Sequence, residues 1–475
     1  MHQARKQALS GSAWTVFGYG TSQVIRLGSN ILLAHLLFPA AFGVMALVTV
    51  VMQGLQMFSD VGIGPSIIQS KRGEDQTFLN TAWTIQAIRG VVLWLICCAL
   101  AWPAAVFYGK SDPMAHELLW VLPVAGLSAI INGFNSTSVF TLNRSLSMAK
   151  VTLLELIPQA FSVVGMVVWG FLAPSVWALV SGWIIQSTAK CVMSHVLNPA
   201  FRNRFLWNPA CVHELMHFGR WIFLSTMISF MAGSFDRLAL AKLISLTELG
   251  IYSIALTFVR IAIEVSNRLS NTVLFPLLSR FQEEPVRLVE LCLKARSLVL
   301  LVGGAMVSTT AILSPLFFEL LYSASYAGAG EVARWLSIFV WASILLSSME
   351  RVPLALGHPK ALVVSNLIAT AGYALAIPGY HYFGLPGFIV SLAFAVLLAH
   401  LYLVHWMPSG RMRMLRQTMA YSAVHGSYAI GIVLLEKCLP GDLPHAARIA
   451  FAVVFGLLPC GVAGIVTLKR LRKPA

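Results

Sequence analysis

The stretch HELMH, residues 213–217, has the spacing of a zinc-protease site. On a helix, the histidines of H-E-x-x-H lie on one face as zinc ligands, and the glutamate acts as general base. The three residues are His213, Glu214 and His217. A catalytic zinc also needs a third protein ligand, which no residue supplies by its spacing. The elements around HELMH therefore decide what it is.

Those elements are membrane helices, because the composition does not fit a soluble core. Of 475 residues, 58% are hydrophobic and 11% are charged, and the mean hydropathy is +0.78. A soluble domain has about 25% charged residues. Apolar runs recur at the length of a membrane span, about 20 residues. Fourteen spans are predicted, at 12–37, 40–68, 78–108, 116–141, 149–173, 175–198, 215–243, 249–277, 288–322, 332–350, 361–380, 385–407, 417–436 and 447–468.

The net charge of +15 follows the predicted topology. With the N-terminus in the cytoplasm, twenty Lys and Arg residues fall on the cytoplasmic side and five on the outer side. This is the positive-inside bias, so both termini are predicted to be cytoplasmic and nucleic acid is not an expected partner. Because HELMH then lies at the mouth of the seventh span, we interpret it as a chance match and predict no catalytic residue, metal or cofactor. The seven cysteines are scattered and suggest no disulfide framework.

An internal repeat divides the chain. Displaced by 207 residues, LAHLLFPAAFGVMAL (33–47) aligns with LAKLISLTELGIYSI (240–254), with Gly43 on Gly250. A repeat after six spans predicts two six-helix bundles related by an axis along the membrane normal, around a central site. The predicted division is an N-terminal bundle (1–205), a second bundle (206–408) and two C-terminal helices (409–475).

The first part of the chain resembles a known family. Three stretches carry the resemblance: GSAWTVFGYGTSQVIRLGSNILLAHLLFPAAFGVMALVTVV (11–51), FSDVGIGPSIIQ (58–69) and FLNTAWTIQAIRG (78–90). They are similar to the polysaccharide transporter group of oligosaccharide flippases, the Wzx-type and colanic-acid-exporter-like proteins. The family's acidic residue after the first outer proline is absent here, where Ala40 follows Pro39.

The resemblance implies the fold of the multidrug-extrusion antiporters (MATE-like), in the multidrug/oligosaccharidyl-lipid/polysaccharide exporter superfamily. It also implies a task, which is to move undecaprenyl-pyrophosphate-linked oligosaccharides across the bacterial cytoplasmic membrane by alternating access. The implied partners are that lipid-linked substrate, membrane lipid, a polysaccharide polymerase and a chain-length regulator, and the protein is expected to be a monomer.

Ionisable residues inside the spans are candidate functional groups, because a charge in the bilayer is costly. Basic residues outnumber acidic ones there, which suits a pyrophosphate and its preference for guanidinium groups. The candidate substrate-binding residues are Arg26, Asn30, Trp83, Arg89, Arg260 and Arg296. The candidate coupling-ion or ion-pair residues are Asp60, Asp236, Arg237 and Glu264.

Most of these candidates have two interpretations. Arg260 and Glu264 share a helical face, which serves either salt bridging or cavity lining. Asp60, before the GIGP break, is either a coupling-ion site or a partner for an arginine. Asp236 and Arg237 lie near an outer end and form an interfacial pair in the alternative interpretation. Many tryptophans fall at helix ends as in a membrane-interface belt, but Trp83 could instead stack on a sugar ring.

Arg89 and Arg296 are related by the repeat, because a displacement of 207 residues aligns them. Equivalent residues of two related bundles face each other, so the pair would form a two-sided clamp for a pyrophosphate. In the alternative, each arginine pairs locally with an acid, for example Asp60 or Glu264, and locks its own bundle. Two alternative functions stay open. The first is a multidrug or cation antiporter, and the second, which fits the sequence less well, is a membrane-bound polymerase or acyltransferase.

Overall fold

The structure is a computed structural model that describes residues 2–59, 62–70, 72–145, 147–197, 202–281, 284–407, 409–438 and 445–472. All regular secondary structure in these residues is helical. The chain forms two compact units, unit 1 (Met1–Gly250) and unit 2 (Ile251–Ala475). The three-part division predicted from the sequence stays a prediction.

Unit 1 contains nine helices and the start of a tenth. They are α1 (His2–Leu36), α2 (Pro39–Phe58), α3 (Ile63–Gln69), α4 (Gln76–Gly109), α5 (Leu118–Gly133), α6 (Ser138–Arg144), α7 (Met148–Leu172), α8 (Val176–Val196), α9 (Pro209–Leu243) and α10 (Leu246–Leu269). Helices α4 and α5, α5 and α8, α7 and α8, and α1 and α7 pack against each other.

Unit 2 begins within α10 and continues through seven further helices. They are α11 (Phe275–Arg280), α12 (Pro285–Leu321), α13 (Ala329–Ala355), α14 (Lys360–Gly372), α15 (Ala376–Trp406), α16 (Arg411–Cys438) and α17 (His445–Arg472). Helix α12 is central, since it packs against α13, α16 and α17.

The protein is an all-α, multi-pass membrane protein. Among the described residues, nine helical segments are long and apolar enough to cross a membrane. One of them, Lys360–Trp406, contains the break at Gly384, whose φ of 63° and ψ of −154° are not helical. Each of the fourteen predicted spans overlaps a helix, but the count of fourteen stays a prediction.

Among the described residues, two of the predicted spans contain a stretch that is not helical. The run 40–68 divides into α2 and α3, and α3 begins after Gly62, whose φ of 65° is left-handed. The run 116–141 divides into α5 and α6. Apolar runs do not reveal such breaks, because backbone that leaves the helix is tolerated at membrane depth where it lines a cavity.

Several helix ends agree with the predicted internal repeat. Helices α1 and α9 end at Leu36 and Leu243, which differ by 207 residues. Helices α2 and α10 begin at Pro39 and Leu246, which differ by the same number. The aligned glycines also meet, since a Cβ on Gly43 would lie 1.9 Å from the Leu246 carbonyl oxygen and one on Gly250 would lie 1.9 Å from the Pro39 carbonyl oxygen. Only glycine permits this approach.

Candidate functional site

Unit 1 contains a polar cavity of about 580 Å³ beside Arg89. We call it the Arg89 cavity. Five helices and the break after α5 contribute polar or small residues to its wall. Its lining is Gln56, Met57, Ile63, Gly64, Pro65, Gln86, Arg89, Gly90, Leu93, Ala129, Asn132, Gly133, Asn135, Ser136, Val139, Phe140 and Lys190.

Helix α4 positions Arg89 in this wall. Residues 86, 89, 90 and 93 line the cavity and have the spacing of one helical face. The Arg89 Nε donates to Ser59 Oγ (2.8 Å), and its Nη2 donates to the Gln56 carbonyl oxygen (2.8 Å). Gly90 lets α4 approach α5, because a Cβ there would lie 2.5 Å from the Ala129 carbonyl oxygen. The guanidinium is therefore held at the end of α2, half-buried.

The break between α5 and α6 is also held in place. The Gln86 Nε2 donates to the carbonyl oxygens of Asn132 (3.1 Å), Gly133 (3.2 Å) and Asn135 (3.1 Å). One amide thus satisfies carbonyl groups that the helix end leaves without an intrahelical partner. The cavity wall on this side is therefore preorganised.

A second cavity of about 350 Å³ also lies in unit 1. We call it the Trp183 cavity. Helix α2 lines it with residues 49, 52, 53 and 56, and α8 with residues 183, 186, 187 and 190, so both helices use the same i, i+3, i+4, i+7 spacing. Its described lining is Thr49, Met52, Gln53, Gln56, Ser128, Asn132, Trp183, Gln186, Ser187 and Lys190.

The two cavities share three lining residues, Gln56, Asn132 and Lys190. Their described linings contain two cations, Arg89 and Lys190, together with several amides and hydroxyls and no carboxylate. Gln53 and Gln56 are exposed although α2 is an apolar candidate span. Amides are poorly tolerated against lipid, so they favour a water-filled cavity. Such a wall suits an anion that carries neutral hydroxyl groups.

Arg296 lies in a different environment in unit 2. Its side chain is fully buried, with 0% exposed. Its Nε donates to Ser348 Oγ (2.9 Å), its Nη1 to the Met414 carbonyl oxygen (3.2 Å) and to Gln417 Oε1 (3.0 Å), and its Nη2 to Thr418 Oγ1 (2.8 Å). These neutral acceptors belong to α13 and α16, so the guanidinium joins both helices to α12. The clamp that pairs Arg296 with Arg89 stays a prediction.

Trp83 is buried and lines neither cavity. Its Nε1 donates to the Phe134 carbonyl oxygen (3.4 Å), and its ring packs against Phe134 (5.8 Å between centroids) and Phe205 (4.8 Å). Phe205 belongs to the segment without regular secondary structure before α9, where the Arg204 amide also donates to Asn80 Oδ1 (3.1 Å). In the structure Trp83 therefore helps to hold this segment on α4.

The other predicted site residues are dispersed. Arg26 and Asn30 lie half-buried on α1, and Arg260 and Glu264 lie half-buried on α10. None of these four lines the Arg89 or Trp183 cavity. Their roles in substrate binding or ion pairing stay predictions.

The predicted pair at the end of α9 is close in space. Asp236 and Arg237 are both 8% exposed, and the Arg237 Nε lies 3.8 Å from Asp236 Oδ1. The Arg237 Nη2 also donates to the Gly233 carbonyl oxygen (3.1 Å). Asp60 lies outside the described residues.

The HELMH stretch lies in the first turns of α9, in contact with the turn before α4. Glu214 Oε1 accepts a hydrogen bond from Ser70 Oγ (2.9 Å), and Glu214 Oε2 lies 3.8 Å from Arg72. Leu215 is fully buried in a cluster with Ile67 and Phe78. The described residues contain no group of three His, Cys, Asp or Glu that could hold a metal ion. The side chain of His217 lies outside the described part.

Three residues that line the cavities were not predicted as site residues, namely Gln53, Gln186 and Lys190. Gln53 and Gln186 carry no charge, and Lys190 counts among the cytoplasmic cations of the predicted topology. A usable signal was present, since α2 and α8 each place polar residues at i, i+3, i+4 and i+7 within an apolar run. A polar stripe in a membrane helix must face protein or water.

Comparison with known proteins assigns the family. Residues 32–331 match the model of the family described as polysaccharide biosynthesis protein. The chain belongs to this family. It is 21% identical over 364 residues to the teichuronic acid biosynthesis protein TuaB of Bacillus subtilis, which covers 75% of this chain and 73% of TuaB.

Two further relatives of this polysaccharide biosynthesis protein are named for transport or lipopolysaccharide. The succinoglycan biosynthesis transport protein ExoT of Rhizobium meliloti is 22% identical, with 65% of this chain and 59% of ExoT covered. The lipopolysaccharide biosynthesis protein WzxC of Escherichia coli is 21% identical, with 60% and 57% covered. The chain thus spans less than two thirds of the length of these two relatives.

Solved structures show the fold. The lipid II flippase MurJ in an inward closed conformation matches 98% of this chain and 100% of its own, with a TM-score of 0.71 and 12% identity. An inward-facing MATE family multidrug transporter matches 84% and 96%, with a TM-score of 0.65 and 14% identity. The predicted MATE-like fold is confirmed, and these structural neighbours are transport proteins.

Proposed function

We propose that this protein moves undecaprenyl-pyrophosphate-linked oligosaccharide repeat units from the cytoplasmic to the outer leaflet of a bacterial cytoplasmic membrane, for surface polysaccharide assembly. Translocation occurs by alternating access of a polar cavity to the two sides. The observation that carries the proposal is the Arg89 cavity, a polar space with two cations among apolar spanning helices. The names of the relatives and of the flippase with the same fold support it.

In this mechanism Arg89 and Lys190 hold the pyrophosphate. Arginine binds phosphate oxygens in a fork, and lysine adds a point charge. Arg89 is anchored to Ser59 and Gln56, so its guanidinium loses little freedom when the lipid binds. The amides that line the same wall replace the water around the phosphate and sugar oxygens.

Loss of Arg89 tests the mechanism. Purified protein is reconstituted in vesicles with a fluorescent undecaprenyl-pyrophosphate saccharide, and a membrane-impermeant quencher reports which leaflet holds it. Arg89→Ala is expected to lower the rate about tenfold or more, since a charge-assisted contact contributes about 1.5–3 kcal/mol. Arg89→Lys is expected to rescue part of the rate. The control is Arg413→Ala on the exposed side of α16. Wild-type rates in Arg89→Ala protein would contradict the mechanism.

The setting is part of the proposal. We infer that the protein acts as a monomer with both termini in the cytoplasm. It delivers the translocated repeat unit to a polysaccharide polymerase, and a chain-length regulator sets the length of the polysaccharide. The distribution of Lys and Arg between the two sides of the predicted topology supports the orientation. No cofactor enters the mechanism, because translocation makes and breaks no bond.

A multidrug or cation antiporter is the second candidate, because MATE transporters share the fold. The cations in the described lining of the Arg89 cavity disfavour a cationic drug. Expression in a drug-sensitive host lacking its own exporters separates the two functions. A flippase leaves resistance unchanged, whereas an antiporter raises it and leaves the lipid-linked saccharide in its original leaflet.

A further inference from the structure

The Trp183 cavity combines one large aromatic side chain with amides and hydroxyls. Among the lining residues, Gln53, Gln56, Gln186 and Asn132 are amides. An amide both donates and accepts hydrogen bonds, as a sugar hydroxyl does. The indole of Trp183 offers an apolar face with a polar N–H at its edge. Its volume of about 350 Å³ is at the lower end of small-ligand pockets, roughly 300–1,000 Å³.

The geometry of the wall orients these groups toward the cavity. Trp183, Gln186, Ser187 and Lys190 form one stripe of α8, and the stripe of α2 has the same spacing. The Asn132 Nδ2 donates to Ser187 Oγ (3.3 Å), which fixes the α5 amide against α8. The Gln53 Nε2 reaches the Met57 Sδ only at 3.9 Å, and a thioether is a weak acceptor. The Gln53 amide is thus available to a ligand.

The connection to the Arg89 cavity suggests which part of a substrate enters. Gln56, Asn132 and Lys190 line both spaces, so a ligand whose anionic and neutral parts are covalently joined can occupy both. Among the described lining residues, the Arg89 cavity has both cations in its wall, whereas the Trp183 cavity has Lys190 as its one cation. The charged part is therefore best placed beside Arg89, and the neutral part beside Trp183.

We propose that the Trp183 cavity is a saccharide subsite that holds the sugar attached directly to the pyrophosphate. Trp183 covers one face of the pyranose ring. The amides of Gln53 and Gln186 bind its hydroxyls, and Lys190 marks the boundary with the phosphate. The inference rests on the proposed function and adds a sugar-reading site to it. These residues then contribute to selection among sugars.

The test compares two lipids on the full purified chain in detergent. One probe is undecaprenyl pyrophosphate, and the other is the undecaprenyl-pyrophosphate-linked repeat unit extracted from the host strain. The wild type is expected to bind the glycosylated lipid more tightly. Trp183→Ala and Gln186→Ala are expected to raise its Kd about tenfold, and to change the Kd for bare undecaprenyl pyrophosphate less than about twofold. Arg89→Ala is expected to weaken both.

The controls separate recognition from folding. Trp183→Phe keeps an aromatic face and should recover part of the affinity, while Trp169→Ala removes an exposed indole of α7 and should change neither Kd. Equal binding of both lipids by the wild type, or equal losses for both lipids in Trp183→Ala, would overturn the subsite alone. A wild type that binds neither lipid would overturn the proposed function and the subsite together.

Discussion

Replacing Arg296 with alanine is expected to weaken the packing of unit 2. The change removes a fully buried guanidinium from α12 and four hydrogen bonds to α13 and α16. Ser348 and Thr418 keep partners, since their hydroxyls donate to the carbonyl oxygens of Leu345 and Met414. The Gln417 Oε1 loses the guanidinium.

The magnitude follows from three contributions. Truncating a long buried side chain to alanine costs about 2–5 kcal/mol through the cavity it leaves. An orphaned amide oxygen costs about 1–3 kcal/mol. Part of this loss in the free energy of unfolding is offset, because the substitution also removes the desolvation penalty of a buried charge. We expect a net loss of about 3 kcal/mol, which corresponds to about 6–12 °C in Tm for a unit of this size.

The assay is thermal unfolding of the purified full chain in one detergent, followed by tryptophan fluorescence. The Tm of Arg296→Lys should lie between those of Arg296→Ala and the wild type, because the lysine side chain is shorter and its ammonium reaches fewer of the acceptors. Lys294→Ala is the matched control, since this cation on the same helix is exposed. Its Tm should change little.

Transport in vesicles gives the second readout. If Arg296 acts by holding α13 and α16, the Arg296→Ala protein should still translocate lipid at a low temperature at which it stays folded. An Arg296→Ala protein with the Tm of the wild type and no translocation would refute this role, and would make Arg296 the second arm of the predicted clamp.

Three further outcomes are expected. Gly250→Ala should destabilise the protein by about 1–3 kcal/mol, measured as Tm, because a Cβ there would lie 1.9 Å from a backbone oxygen; Gly431→Ala, which meets nothing within 4 Å, is the control. A reporter fused after residue 245 should read as outside, and a cytoplasmic signal would break the predicted topology. The double change His213→Ala and Glu214→Gln should leave polysaccharide export near wild type, since an exposed ion pair contributes about 0–1 kcal/mol; stoichiometric zinc lost in this variant would revive a protease.

The helices and their repetition could be predicted from the sequence. Apolar runs mark a helix wherever the chain must satisfy its backbone hydrogen bonds inside lipid, so this signal is local. The displacement of 207 residues between Gly43 and Gly250 also appears in the ends of α1 and α9. Even the mutual contact of these glycines reflects a sequence requirement, because only glycine fits there.

The candidate site could be predicted only in part. Arg89 was selected because it is a charge within an apolar run, and it lines a cavity. Its partners in that wall were not selected, since neutral amides carry no charge signal and Lys190 lies near a helix end.

Arg89 and Arg296 show most directly which features depend on tertiary packing. The two residues are 207 positions apart, so the amino-acid sequence alone places arginines at matching positions of two long apolar helices. Their surroundings come from other helices. Around Arg89, the breaks after α2 and α5 leave space; around Arg296, α13 and α16 pack closely and supply four acceptors. Periodicity reports which face of a helix is polar, but whether that face meets water or another helix depends on residues distant in the chain.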